Sequence, residues 1–565
     1  MTNIAATFSV VPKVVPKKAF TPGNLILLFV LLLLVLGLVL PMLMIGDFSL
    51  SNKAGEFIGL TNFLEYFSTQ SPLYSIGNTF KIGIITTLLV ISLTFIYAYA
   101  LNRSQIPGKK IFKLVAFLPI LAPSLMPAIS LVYLFGNQGL IKEILMGESI
   151  YGPIGIAMGL AFWCFPHALI IINTALSVTD QRLYESCKAL NASKLETFFT
   201  VTLPSAKYGL ISALLVTFTL TITDFGVPKV IGGQFNVLAT DIYKQVVGQQ
   251  NFQTGAVVSM LLLLPALMTF AIDRYLRSKQ KDMVDHRATP YQPEKNHLRD
   301  TLLFIYCLLV SGVILAFIGT AIYASFISFW PYNMDLTLAN YQFEFMDGGG
   351  WSAYFNSLEM AAWTALFGTC FVVLSVYMTE KVKVSSWLRR GIQGLALMPM
   401  AIPGMVLGLA YIFFFNHPDN PLNFLYGSMA ILVISTVIHY YTVCHMTATT
   451  SLKQVDSAIE SVSASLKVPQ WVTFFKVTMP MSLPAVLDIG FYYFVNAMTT
   501  VSAVVFLYSS DTMLASVAVL NMDDAGDIAP AAAMATMIFI TSAAAKILYG
   551  ALSHGVLKRT QAWRR

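Results

Sequence analysis

Apolar residues in this chain come in long unbroken runs instead of the one-sided stripes of soluble helices, and twelve of those runs approach the roughly 20 helical residues needed to cross a hydrocarbon core. They lie near 24–46, 79–101, 112–135, 153–178, 205–225, 254–275, 301–328, 354–378, 392–415, 427–450, 483–507 and 530–552. The pattern predicts an all-α polytopic membrane protein. The first run follows a head bearing Lys13, Lys17 and Lys18, as a signal peptide would, but it is too long and lacks a small-x-small cleavage site. It reads as an uncleaved first span.

Composition agrees with the pattern. Of 565 residues 56% are hydrophobic and 11% charged, against about 25% charged in soluble domains, which excludes a soluble enzyme, a disordered chain, a collagen and a disulfide scaffold. Cys164, Cys307, Cys370 and Cys444 fall inside apolar runs and Cys187 in a polar loop, with no disulfide or zinc spacing. Basic residues set orientation. With the N-terminus inside, only Lys53, Lys81, Lys142, Lys229 and Lys244 fall on outer loops or span edges, leaving 30 of the 35 basic residues inside. The acidic residues Asp335, Glu344, Asp347, Asp511, Asp523, Asp524 and Asp527 fall outside. The expected organisation is a tail at 1–23, a first half at 24–275 with its core near 75–275, a linker at 276–300, a second half at 301–553 with its core near 352–553, and a tail at 554–565, both tails cytoplasmic.

The halves repeat. Thr197-Phe-Phe-Thr-Val-Thr-Leu-Pro204 recurs 276 residues later as Thr473-Phe-Phe-Lys-Val-Thr-Met-Pro480, identical at six of eight positions. Leu118-Pro119 with Pro123 echoes Met398-Pro399 with Pro403, and Asn78-Thr79 echoes Asn356-Ser357. Both copies run the same way through the membrane, so this is a parallel duplication about an axis along the membrane normal. Each repeated loop is about 25 residues long and patterned as two short helices with a bend. In the first copy Thr179 or Asp180 can cap the leading helix, Asn191 can adopt the left-handed backbone, Ser193-Lys-Leu-Glu196 reads as a capping box, and Pro204 is expected to stop the helix. Such an elbow suits docking into a groove of a soluble partner better than plain connection.

These loops resemble the Glu-Ala-Ala signature of the membrane subunits of binding-protein-dependent ABC importers of the type I fold. The matching residues are Glu185-Ser186-Cys187, Asn191, and Val201-Thr202-Leu203-Pro204. The second copy departs from the signature: Ser461 stands where the family has Glu, with Glu460 one place earlier, Lys467 replaces the Gly, and Val477, Met479 and Pro480 close the motif. A lysine resists the left-handed backbone, so the second elbow is expected to bend differently, with Pro469 opening its next helix. The resemblance implies coupling helices docked on an ABC ATPase homodimer that binds the ATP, a periplasmic solute-binding protein as the other partner, no cofactor in this chain and residence in a bacterial inner membrane. The fusion of both halves resembles iron(III), polyamine and phosphonate importer permeases. The stretch from Phe491 through Asn496 and Ser502–Phe506 to Ala515–Asp527 looks most like permeases for 2-aminoethylphosphonate.

There is no Gly-x-x-x-x-Gly-Lys-Ser/Thr loop, so any ATP is bound elsewhere. Nothing in the sequence points to nucleic acid or to a resident metal. Asp523-Asp524-Ala-Gly-Asp527 has the spacing of a prenyltransferase diphosphate motif but lacks a second acidic cluster. A twelve-span secondary transporter of the major-facilitator kind is the other alternative; it would leave the duplicated elbow without a role. Polar residues in the spans are candidates for the translocation path by default: Trp163, His167, Asp224, Glu359, Asp488 and Asn496. Asn173, His439 and His445 join them, with helix-bridging as the plainer reading of each.

Overall fold

A computed structural model describes residues 22–68, 70–281, 289, 291–456 and 458–560. Of the tails expected at 1–23 and 554–565, residues 1–21 and 561–565 lie outside the described residues, as do linker residues 282–288 and 290. Among the described residues nine helices are long and apolar enough to span: Pro22–Leu50, Ser71–Arg103, Pro153–Ser177, Lys194–Thr223, Phe252–Leu276, His297–Ser325, Gly350–Glu380, Gln470–Thr499 and Ile528–Gly555. Three bent pairs, counted as one span each, bring the number to twelve, as the apolar runs predict.

The bends have readable causes. Lys109–Leu121 meets Leu125–Phe135 at 103°, and Ser386–Ala401 meets Gly404–Phe415 at 115°. In both, the residue before a proline is extended, Ala122 at ψ 140° and Ile402 at ψ 118°, because the proline ring excludes the helical conformation there. The third pair, Met429–His439 and Tyr441–Gln454, bends by 56° without a proline, whereas its counterpart Pro153–Ser177 stays continuous through Pro166.

Pro204 does not stop its helix, contrary to the sequence expectation. Residues 194–223 run on as one helix, with a π-helical turn at Phe198–Thr202 in which the Leu203 N–H donates to the Phe198 carbonyl. The wide turn absorbs the donor that proline lacks and moves the ring off the carbonyl it would strike. Phe474–Thr478 repeats the device before Pro480. The other echo has a capping role: the Thr79 hydroxyl accepts the Leu238 N–H at 2.9 Å and the Ser357 hydroxyl the Ala515 N–H at 2.7 Å, each starting a short helix at the end away from the elbows.

The halves are interlocked. The first span packs on residues 404–415 and 386–395 of the second half as well as on 252–281, and the seventh, 297–325, packs on 125–135 and 71–103 of the first half as well as on 528–560. Polar groups seal both crossings, as an apolar medium requires. Tyr411 donates to the Gly37 carbonyl at 2.6 Å and Phe48 stacks on Phe413 at 3.9 Å. On the other side Ser130 donates to the Phe317 carbonyl at 2.7 Å and Tyr306 to Leu93 at 2.8 Å. The seventh span ends at Ser325 and a two-stranded hairpin, Ile327–Phe329 with Asn333–Leu336, follows.

Candidate functional site: two elbows and the seam between the halves

Each elbow is a short helix, a reversal and a second short helix leading through the π turn into a span. In the first, the Asp180 side chain caps Gln181–Ala189 by accepting the Arg182 N–H at 3.0 Å, a bond that holds its carboxyl below the usual range. The reversal is a Schellman motif: Ala192 N–H reaches the Cys187 carbonyl at 2.9 Å and Asn191 N–H the Lys188 carbonyl at 3.1 Å, with Asn191 at φ 56°. Ser193 and Glu196 then form the expected reciprocal capping box.

The second elbow bends in the same way, which corrects the expectation drawn from Lys467. Val468 N–H bonds the Ser463 carbonyl at 3.0 Å, Lys467 N–H bonds Ala464 at 3.1 Å, and Lys467 itself sits at φ 57°. The tertiary frame overrides a left-handed penalty of about 1–2 kcal/mol. Pro469 stands at the N-cap of Gln470–Thr473 and opens that helix as expected.

What holds the elbows differs. Glu185 is exposed and accepts from the Gln181 side chain at 2.8 Å. Glu460 turns inward to the Lys381 ammonium at 3.6 Å, and that ammonium also donates to the Val455 carbonyl at 2.6 Å. Arg103 occupies the place of Lys381 in the first half: it is 3% exposed, donates to the Leu176 carbonyl at 2.8 Å, and lies 5.3 Å from the Tyr184 ring and 4.6 Å from the Tyr291 ring. Two such faces together contribute about 1–3 kcal/mol when desolvated. The Tyr184 hydroxyl continues to Thr202 in the π turn at 3.0 Å. Of the other motif residues, Val201 is buried, Leu203, Val477, Met479 and Pro480 are half-buried, and Asn191, Pro204 and Lys467 are exposed. Large apolar side chains stand out beside them, Leu190 at 82% and Leu466 at 71% exposure.

The path candidates do not converge. Trp163 and His167 pair with each other, rings 5.1 Å apart, on one span. Asp224 accepts the Val227 N–H at 3.0 Å, one residue ahead of Phe225 at the N-cap of Gly226–Ile231. Glu359 accepts from Trp363 at 3.2 Å in an apolar groove of ≈ 580 Å³ that the first span forms with the second half. Asp488 accepts from the Tyr549 hydroxyl, and Asn496 donates to Tyr492 on its own helix at 2.8 Å. Asn173 accepts from Asn102 at 2.8 Å, and the His439 ring lies 4.6 Å from that of Tyr440.

The seam carries residues the sequence reading passed over. Asp273, 5% exposed, accepts from Ser212, and the Thr219 and Thr269 hydroxyls meet at 2.6 Å. With Met400 from the other half, Asp273, Thr219 and Thr269 line a pocket of ≈ 70 Å³. At the end away from the elbows Lys229 of the first half pairs with Asp524 of the second at 2.9 Å, and the Tyr243 and Phe506 rings lie 6.2 Å apart. Burial, then the neighbouring Asp524, pushes the Asp523 carboxyl up to about 7. A partner 295 residues distant leaves no local trace in a sequence.

A family model described as "Binding-protein-dependent transport system inner membrane component" matches residues 97–282 and again 371–558. The "Putative ferric transport system permease protein FbpB 1" of Haemophilus influenzae is 29% identical over 79% of this chain and 73% of its own length. The "Ferric transport system permease protein FbpB" of Actinobacillus pleuropneumoniae is 27% identical over 84% and 72%. Among solved structures, a bacterial ABC transporter involved in the import of the acidic polysaccharide alginate is 16% identical with a TM-score of 0.39, covering 46% of this chain and 95% of that one.

Proposed function

Because this chain belongs to the family of binding-protein-dependent transport system inner membrane components, we propose that it is the permease of an ATP-driven importer that receives force at residues 181–204 and 458–480. It is a transport permease and not an enzyme, which sets aside the prenyltransferase reading of Asp523 and Asp524. The observation that carries the elbow assignment is the pair of identically bent, apolar-tipped Schellman elbows, one in each matched repeat. Each leads straight into a span through a π turn, so a push on the elbow is a push on the bundle.

The elbows face the cytoplasm and dock on an ATPase homodimer that holds the ATP, in a bacterial inner membrane with both termini inside. ATP binding draws the ATPases and the elbows together; the halves, being rigid and interlocked, rock about the seam, and the Lys229–Asp524 contact parts at the far mouth. Cargo arrives there from a periplasmic binding protein and passes the Asp273 pocket. Selectivity rests with that binding protein, since among the described residues no three of His, Cys, Asp and Glu converge to grip an ion.

Ferric iron is the cargo read by likeness to the two ferric permeases. A zwitterion such as 2-aminoethylphosphonate is the second reading, favoured by the likeness of residues 491–527 and by a mouth that offers both Lys229 and the Asp523–Asp524 carboxylates. Uptake of iron-55 as ferric citrate and of labelled 2-aminoethylphosphonate, each with and without this chain beside its ATPase and binding protein, tests both. Uptake of either probe without an ATPase overturns the importer reading.

A further inference from the structure

The two elbows are built alike, but one of them is strapped. Residues 289 and 291–294 of the linker lie along the first elbow. Gln181 N–H donates to the Thr289 carbonyl at 3.0 Å and the Thr289 hydroxyl donates to Asp180 at 3.0 Å. Gln292 N–H donates to the Gln181 side chain at 2.9 Å, and Lys188 pairs with Glu294 at 2.7 Å. The Tyr291 ring lies 4.4 Å from that of Tyr184, and the Arg103 guanidinium faces both. The far end is anchored as well: Gln105 donates to the Pro293 carbonyl at 2.7 Å and Arg299 to the Glu294 carbonyl at 2.6 Å. The Lys381 contacts of the second elbow, and the bond its Gln470 carbonyl accepts from the Tyr377 hydroxyl at 3.4 Å, stay within its own half.

Arg103 is a buried charge that pairs with no carboxylate among the described residues, and its Nε has no hydrogen-bond partner there. Its compensation is one carbonyl and two tyrosine faces, one from the elbow and one from the linker. Such a cation holds the two segments together only while both rings are present, because removing either leaves charge desolvated. The elbow ring in turn bonds Thr202 inside the π turn. We infer that Tyr291 and Arg103 are positioning residues for coupling: the linker fixes the first elbow to the end of the span at 71–103, so that force arriving on it passes into two spans together, while the second elbow is held by contacts inside its own half, the Lys381–Glu460 pair among them.

This inference rests on the elbow reading above, and the test separates the two. In the full chain assembled with its ATPase and reconstituted with its binding protein, Tyr291→Ala is expected to leave ATPase co-purification and ATP hydrolysis intact. Probe moved per ATP should fall by roughly fivefold to tenfold, the probe being whichever of iron-55 ferric citrate and labelled 2-aminoethylphosphonate the unaltered complex accumulates. Tyr291→Phe, which keeps the ring, should retain the ratio. Hydrogen exchange of amides 181–190 should rise in Tyr291→Ala and not in Tyr291→Phe, with 458–465 unchanged; this readout needs no cargo and covers a variant that transports too poorly to measure. An unchanged exchange pattern in Tyr291→Ala, or equal damage from Tyr291→Phe, overturns the strap. If Tyr291→Ala keeps the ratio while Leu190→Asp uncouples, the strap alone falls; if neither uncouples, the elbow reading falls with it.

Discussion

The first elbow carries the better motif and the second the worse, yet both reach the same backbone. Asn191 and Lys467 sit at φ 56° and 57°, followed by the same pair of reversal bonds. The difference lies behind them, where one half uses an arginine against two rings and the other a lysine against a carboxylate at 3.6 Å. A duplicated device can therefore keep its shape while its restraints diverge. Shape is what a docking groove reads, and restraint is what decides how force travels onward.

The largest test of this comparison is at the exposed tips. Leu190→Asp and Leu466→Asp should each lower ATP-driven uptake by about tenfold or more without lowering the amount of chain in the membrane, because burying a new charge at a docked contact costs at least about 2 kcal/mol. Uptake equally insensitive to both would break the shared-groove view, and a response to one alone would sharpen the asymmetry. Next come the restraints. Lys381→Ala strands the half-buried Glu460 and should destabilise the second elbow by about 2 kcal/mol, an effect largely cancelled in Lys381→Ala/Glu460→Ala. Thermal denaturation of the purified chain measures both, and a double variant no better than the single would show that the pair is not coupled. Smaller is the backbone term: Lys467→Gly should stabilise by about 1 kcal/mol, whereas Asn191→Gly, starting from a residue that tolerates the left-handed region, should change little.

The smallest effect is set by pH. Asp180 and Glu294 are held below their usual range, the first chiefly by the Arg182 N–H and the second by Lys188. A carboxylate depressed in the folded state adds stability above its unfolded value of about 4 and loses it as pH falls through the folded one. A spin label at position 190 should therefore gain mobility below about pH 4, provided the strap is what restrains it. Equal gains from a label at position 466 would argue for general loosening instead.

The spans, the duplication, the capping box and the left-handed Asn191 were legible because each is a local or periodic signal. Pro204 was misread because a proline ends an α-helix but not a helix already widened into a π turn at Phe198–Thr202. The Lys467 reading failed because propensity is a weak term beside a tertiary frame. Lys229 with Asp524, the Asp273 pocket and the Tyr291 strap left no mark because their partners are distant in sequence, whereas a polar residue inside a run, such as Asn173, was conspicuous, and its bond to Asn102 on a neighbouring span is the helix bridge that was its plainer reading.

The crossing of the first and seventh spans bears on how such a chain is made. A ribosome delivering the N-terminal half releases span 22–50 well before its resting place at 386–415 exists, and that half's own flank at 125–135 waits bare until 297–325 emerges. Each half synthesised alone would keep one flank of its end span, at 252–281 or 528–560, and lack the other, so joining them on one polypeptide fixes their stoichiometry and supplies the missing flank from the same chain.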